Sequence, residues 1–451
     1  MTKSTKLKVV FMPLSKKPYK GTRDFFPAEK RVQDYLFAKM KEAAELFGME
    51  PYNGPLLEEV ELYQAKSGEE LINDQIYSFT DRGERFVAIR PEMTPTLARM
   101  IAQVHREVPR PIRWYSIPNL MRYENPQRGR LREHWQLNCD IFGTLSPYSE
   151  LEIFQFIIFL MQSFGADQTH FEILVNDKRA TEAFCQHVLH LKDEESIKVI
   201  KLLDRSKKLS PDDLKKQLES LLPDQSQQQN FLQYLSLSSL QDVLKFAQQH
   251  QLEELYAPLI QVLELADKVN ILPFLTFDPT IVRGLDYYTG IVFEVFDKHP
   301  NNHRAIAGGG AYARLLEIFG ETALPGIGMG MGDVTLKDFL QTHQLLPSHL
   351  ELPSIQLAIV SGISATEMPP ELLIFAQELR KRHISVVTQP VSQKFPKALQ
   401  WASKRGASFM GFFGDTEKDS QSLTIKNLSS GQQQNFKLMD IQSLVDFIQK
   451  S

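Results

Sequence analysis

Met121-Arg-Tyr-Glu-Asn-Pro-Gln-Arg-Gly-Arg-Leu-Arg-Glu-His-Trp-Gln136 crowds four arginines, a glycine and an Asn-Pro turn signal into sixteen residues. A strand ending at Arg122 turns at Asn125-Pro126, passes the permissive Gly129 and returns through Glu133-His-Trp-Gln-Leu137 to Asp140. That hairpin brings Arg122, Glu124, Arg130, Arg132 and Gln136 near one another. Clustered arginines make poor core, and their planar forks suit phosphate oxygens. On spacing alone a solvated basic hairpin fits equally well.

The texture around the hairpin is one of short strands. Between about 51 and 176, runs such as Arg85-Phe-Val-Ala-Ile89, Ile112-Arg-Trp-Tyr-Ser-Ile117 and Phe171-Glu-Ile-Leu-Val175 alternate with Gly, Pro and Asn, broken by an apolar helix over 150–164. A helix over 28–48 precedes them, with Leu36, Met40, Ala43, Ala44 and Phe47 at helical spacing and Gly48 as its stop. Residues 177–270 are rich in Leu, Lys, Gln, Glu and Ser. Ile197, Ile200 and Leu203, then Leu214, Leu218, Leu221 and Leu222, recur at helical spacing, which predicts a helical insertion. Strand texture returns at Leu275-Thr-Phe-Asp278 and runs to about 335. A linker at 342–354 leads to an α/β module, with strands over 355–360, 384–388, 408–413 and 423–426 and helices over 367–383, 393–404 and 440–449. Residues 1–18 read as a basic extension.

Composition bounds the function. A chain of 451 residues suggests about two to four domains. With 51 Lys+Arg against 55 Asp+Glu the formal net charge is −4, which excludes a polycation but not a nucleic-acid binder with a local basic surface. Two cysteines, Cys139 and Cys185, make neither a disulfide framework nor a four-thiolate zinc site, and a reducing, cytoplasmic compartment fits. The most apolar stretch, 154–161, falls far short of the ~20 residues of a membrane span. No H-E-x-x-H, Cys-x-x-Cys or G-x-S-x-G is present, so neither a dedicated metal site nor a serine hydrolase is expected.

Four further segments bear on the chemistry. Arg283-Gly-Leu-Asp-Tyr-Tyr-Thr-Gly290 puts an arginine, an aspartate and two tyrosines before the strand Ile291-Val-Phe-Glu-Val-Phe296. It reads as a polar, aromatic-walled pocket or as an ordinary turn. Ala307-Gly-Gly-Gly310 and Gly326-Ile-Gly-Met-Gly-Met-Gly332 invite close approach by a ligand or by another strand, and tight packing is the better reading of the glycines alone. Arg90-Pro-Glu-Met-Thr-Pro95 places Glu92 and Thr94 on one side of an extended segment, where a carboxylate beside a hydroxyl suits an amino group, though an ordinary surface turn fits the local sequence as well.

Taken in order, these segments resemble the histidyl-tRNA synthetases, a class II aminoacyl-tRNA synthetase family. Lys20-Gly-Thr-Arg-Asp-Phe-Phe-Pro27 resembles the opening motif. Pro55-Leu-Leu-Glu-Glu-Val-Glu-Leu-Tyr63 is similar to motif 1, the dimer segment. The 121–136 hairpin is similar to motif 2, and Arg283-Gly-Leu-Asp-Tyr-Tyr288 to the histidine signature. The tail from about 355, including Gly414-Asp-Thr-Glu417 and Ile425-Lys-Asn-Leu428, resembles the anticodon-binding domain. The resemblance implies an α+β chain: an antiparallel class II core over 19–176 and 271–341, a helical insertion over 177–270 and an anticodon module over 354–451.

It also implies a function, ATP-dependent ligation of histidine to its tRNA through a histidyl-adenylate. The chain would be a cytoplasmic homodimer that uses ATP with Mg2+ and holds no tightly bound cofactor. Glu92 and Asp140 would hold the α-ammonium, with Thr94 and Gln136 completing that shell, and Tyr287 and Tyr288 would line the imidazole pocket. Arg122, Glu124, Arg130 and Arg283 would serve ATP, Arg122 and Arg283 catalytically at the α-phosphate. Two positions depart from the family pattern. Thr335 stands where motif 3 usually carries an arginine for the ATP tail, and Ala311 and Ala313 stand where the second histidine motif reads G-G-R-Y-D. The rival reading is a non-catalytic, synthetase-like regulatory subunit of ATP phosphoribosyltransferase.

Overall fold

A computed structural model describes residues 14–64, 74–144, 147–282, 287–363 and 368–450. It divides into two compact units, one of residues 1–24 and 33–346 and one of residues 25–32 and 347–451.

In the first unit the chain runs through α1 (Pro27–Leu46, which begins in the second unit), β1 (Glu50–Pro51), β2 (Leu57–Glu59), α2 (Val60–Gln64), β3 (Tyr77–Thr80), β4 (Phe86–Ile89) and α3 (Thr94–Val104). It continues as β5 (Ile112–Ser116), β6 (Asn119–Met121), β7 (Glu133–Phe142), α4 (Pro147–Ser163) and β8 (Phe171–Asp177). The stretch from 178 to 268 is built of helices, as its leucine spacing predicts: α5 (Lys178–Ala183), α6 (Asp193–Arg205), α7 (Pro211–Leu221), α8 (Gln225–Leu235), α9 (Leu240–His250) and α10 (Glu253–Lys268). Then come β9 (Leu275–Phe277), β10 (Ile291–Asp297), β11 (Ala307–Tyr312), β12 (Gly326–Gly332) and α11 (Asp333–Thr342).

The main sheet has the order β1-β5-β7-β12-β11-β10-β8-β9, with β6 also paired to β7. Its interior pairings, from β5 to β8, are antiparallel, and only the edge pairs β1–β5 and β8–β9 are parallel. Strand side chains alternate between faces, and here the two faces differ in chemistry. Leu137, Cys139 and Ile141 of β7, Ile327, Met329 and Met331 of β12 and Phe293 and Val295 of β10 join α1, α4 and the insertion helices in one apolar core. Their sequence neighbours turn to the opposite face, which carries a smaller cluster around Tyr287, Tyr288, Val292 and Tyr312. A separate small sheet, β2-β4-β3, leaves Leu57, Phe79 and Phe86 exposed.

The second unit is built on β13 (Ile355–Ser361), α12 (Pro370–Lys381), β14 (Val386–Gln389), α13 (Phe395–Lys404), β15 (Ala407–Phe413), α14 (Asp415–Asp419), β16 (Ser422–Asn427), β17 (Gln433–Lys437) and α15 (Ile441–Lys450). Its sheet order is β14-β13-β15-β16-β17, parallel over the first three strands and antiparallel thereafter. Phe375 and Leu379 of α12 and Leu444 and Ile448 of α15 cover one face, and Ala398 and Ala402 of α13 the other.

The expected strand at 384–388 begins two residues later, and α14 and β17 were not expected. Glu417 explains α14 by accepting from the Gly414 amide at 3.0 Å, which caps a single turn from one side. The segment holding Glu92 and Thr94 is also not wholly extended. Thr94 opens α3, because Pro95 suits a first helical turn and Leu97, Ala98 and Ile101 bury one helical face.

Candidate active site

Alternation along β7 builds the floor of the site. His134, Gln136, Asn138 and Asp140 all face one cleft of about 1360 Å³, while the residues between them face the helices. The glycine runs lie beside them. A Cβ on Gly328 would fall 2.0 Å from Asp140 Oδ1, one on Gly330 2.8 Å from Gln136 Cδ, and one on Gly310 2.7 Å from Tyr288 Cδ1. The glycines therefore let neighbouring functional side chains lie flat across the strands, the close approach their pattern predicts.

Two carboxylates converge with the tyrosines. Asp140 accepts from the Tyr312 hydroxyl at 2.5 Å, and the Tyr287 hydroxyl donates to Glu92 Oε2 at 3.1 Å. The Tyr287 and Tyr312 rings stand edge-on at 6.2 Å, and Tyr288 lies 4.7 Å from Tyr287. Burial pushes the Asp140 carboxyl up to about 7, the Tyr312 hydrogen bond opposing that rise, and burial also raises the Tyr312 phenol. Arg90 frames this end. It is buried, and it donates to Asn119 O (2.9 Å), Asn119 Oδ1 (3.1 Å) and Gly54 O (2.8 Å), which fixes the chain entering Glu92.

The motif 2 hairpin supplies the other end. Arg122 donates Nε to Pro91 O at 2.8 Å, leaving the rest of its fork toward the cleft. Arg130 and Glu124 form a two-pronged ion pair, one contact being 2.6 Å. Arg132 is structural rather than phosphate-facing. It is buried, donates to Glu124 O (3.0 Å) and Tyr19 Oη (2.8 Å), and stacks 4.0 Å from the Tyr123 ring centroid. Burial and the nearby Arg122 and Arg23 push the His134 imidazole down to about 3, so it is neutral at any working pH. Arg23, of the opening motif, pairs with Asp333 at 2.7 Å, and Asp333 also accepts from the Trp135 amide at 2.9 Å.

Glu92, Thr94, Arg122, Glu124, Arg130, Gln136, Asp140, Tyr287 and Tyr288 thus line a single cleft, though they come from stretches almost 200 residues apart. Arg283, with Gly284, Leu285 and Asp286, lies outside the described residues. The departures from the family pattern have local accommodations. Thr335 turns its hydroxyl inward to Ile306 O and Gly332 O, both at 3.3 Å. Beside Ala311, a Cβ on Gly290 would lie 3.4 Å from Ala311 Cβ and 3.2 Å from a guanidinium nitrogen of Arg179, so an arginine from α5 stands near the alanine. The Ala313 amide donates to Thr289 Oγ1 at 2.9 Å. Sequence reasoning missed Tyr312, His134 and Arg304 as cleft residues. Alternation from Gln136 or Gly310 would have found the first two; Arg304 sits in a loop with no periodicity to read.

Comparison with known proteins fits this geometry. A family model described as histidyl-tRNA synthetase matches residues 21–333, and one described as anticodon binding domain matches 356–451. A histidine–tRNA ligase of Leptospira biflexa is 40% identical over 426 residues, 94% of this chain and 95% of that protein. The chloroplastic/mitochondrial histidine–tRNA ligase of Arabidopsis thaliana is 36% identical over 433 residues, 94% of this chain and 86% of that protein. In fold, the crystal structure of histidyl-tRNA synthetase from Nostoc sp. PCC 7120 superposes with a TM-score of 0.80 at 23% identity, covering 97% of this chain and all of that one.

Proposed function

This chain belongs to the histidyl-tRNA synthetase family, and from that premise we propose that it is an ATP-dependent histidine–tRNA ligase that works through a histidyl-adenylate. One observation carries the reading to the residues: two buried carboxylates, each bonded to a tyrosine, face the same cleft as the motif 2 arginines. Histidine offers two N–H-bearing ends, its ammonium and its imidazole. Glu92, beside Thr94, takes the ammonium. Asp140, held by Tyr312 and walled by Tyr287 and Tyr288, takes the imidazole. This divides the labour that the sequence assigned to the ammonium alone. The histidine carboxylate then attacks the α-phosphorus of ATP, pyrophosphate leaves, and Arg122 and Arg283 stabilise the charge spread over the phosphate oxygens. A terminal ribose hydroxyl of the tRNA finally attacks the adenylate carbonyl and AMP leaves.

Further parts of the proposal rest on family membership and local surface. Mg2+ accompanies ATP as its counter-ion; among the described residues no group of three or more His, Cys, Asp or Glu is placed to hold a metal of its own. The exposed Leu57, Phe79 and Phe86 of the small sheet fit a two-fold dimer contact near 55–63. The module from 354 reads the anticodon, and the helices of 177–270 are an insertion that shares the core of the main sheet. Among the described residues no helix is long and apolar enough to cross a membrane, and the two unpaired, buried cysteines fit a reducing, cytoplasmic location.

The test is histidine-dependent exchange of pyrophosphate into ATP. A site with buried groups matched to imidazole rejects other amino acids by ~10⁴ or more, so histidine alone should support exchange. Exchange with several amino acids would refute the specificity. Its absence with histidine would favour the regulatory-subunit reading, against which the anticodon-type module already stands.

A further inference from the structure

Four arginines line the cleft, and three of them make at least one hydrogen bond within the protein. Arg122 holds Pro91 O, Arg130 is paired with Glu124, and Arg128 reaches Thr342 Oγ1 at 3.5 Å beside the carboxylate of Asp338. Arg304 differs. It is exposed in the loop between β10 and β11, and among the described residues no carboxylate or carbonyl holds its guanidinium. Its stem is nevertheless positioned. A Cβ on Gly129, in the motif 2 turn, would meet Arg304 Cγ at 3.2 Å and Thr335 Cγ2 at 3.4 Å, so Arg304 and Thr335 flank the same glycine.

The cleft is graded in charge along β12. Gly328 lies against Asp140, and Gly332, four residues on, leads into Thr335. At about 3.4 Å per residue those ends are roughly 14 Å apart. The first carries buried carboxylates and tyrosines, and suits a cationic amino acid. The second carries Arg128 and Arg304, and suits a polyanion. Thr335 presents only its methyl group there, since its hydroxyl is turned to backbone carbonyls.

We propose that Arg304 holds the terminal phosphates of ATP, placing a guanidinium from the β10–β11 loop in the space that the small Thr335 leaves open. The inference rests on the ligase reading for the identity of the nucleotide. It adds a binding residue that the motifs do not reveal.

Equilibrium binding of ATP and of AMP to the full-length protein tests it, because AMP lacks the phosphates in question. Arg304→Ala should weaken ATP by about tenfold to a hundredfold, the range for losing charge-assisted hydrogen bonds, and leave AMP near wild type. Arg304→Lys should fall between, since an ammonium keeps the charge but not the fork. Adding Thr335→Arg to Arg304→Ala should recover ATP affinity. Wild-type ATP affinity in Arg304→Ala, or equal losses for ATP and AMP, would overturn the proposal. Failure of the ligase reading looks different: wild-type protein that binds ATP in preference to AMP yet shows no histidine-dependent exchange.

Discussion

Asp140 ties the chemistry of the site to its stability. An unfolded aspartate titrates near ~4, whereas the buried one is raised to about 7. Below about pH 4 both states hold the proton and Asp140 imposes no penalty. As pH rises toward 7 the folded chain keeps a proton that the unfolded chain has released, so stability falls until the folded carboxyl ionises. A shift of ~3 units corresponds to about 4 kcal/mol at most. Asp140→Asn should therefore gain on wild type, in melting temperature, between pH 5 and pH 8, while losing histidine-dependent exchange. Glu150, also raised to about 7 by burial, gives a slope of the same sign that is common to both proteins and cancels. Equal pH slopes for the two would show that Asp140 is not held neutral. Arg283 makes a different claim. If it acts mainly on the transition state, Arg283→Ala lowers kcat by ~10²–10³ with KM for histidine and ATP near wild type. Stopped-flow adenylate formation beside a melting curve checks this; a stability loss with normal chemistry in the folded fraction would make it a turn-pinning residue.

Among the elements, β12 makes the sharpest test of why the glycines are there. At Gly328 a methyl group would occupy the place of the Asp140 carboxylate. At Gly332 the nearest atom would be Thr335 Oγ1 at 3.4 Å, and φ is −80°, which any residue adopts. Gly328→Ala should cost about 1–3 kcal/mol and abolish histidine activation; Gly332→Ala should leave the fold within about 0.5 kcal/mol. Thermal melts of the pair decide it, and equal tolerance would refute the packing account. The same strands show what was legible beforehand. The hairpin at 121–136 could be read because turn residues punctuate it, and 150–164 because Phe154, Ile157 and Met161 leave no polar face to a strand. β17 could not, because Gln433-Gln-Asn-Phe-Lys437 is a polar edge with Phe436 alone buried. Nor could the partnership of Asp140 with Tyr312, because 172 residues separate them and only the pairing of β7, β12 and β11 aligns them.

At the scale of the whole molecule, two compact units imply separable tasks. A chain ending at Leu346 should keep pyrophosphate exchange and lose most tRNA charging, and equal charging by both forms would sink the division. Within the second unit, Lys381 and Arg382 are tied to Glu378 and Arg380 to Val386 O, so the exposed Lys394, Lys397 and Lys404 around α13 are the better candidates for tRNA phosphates. Tightening of tRNA binding at low salt, blunted by neutralising these three lysines, would be the signature. The glycine floor also bears on how this protein can change over generations. A glycine has nothing left to remove, so every substitution in the floor raises it and shrinks the room above. A lineage drifting toward bulkier amino acids, or a laboratory selection for histidine analogues, can gain volume only in the walls. Successful variants should accumulate changes at Tyr287, Tyr288 and Tyr312 while Gly310, Gly328 and Gly330 stay as they are, so the sheet fixes in advance the direction in which its specificity can wander.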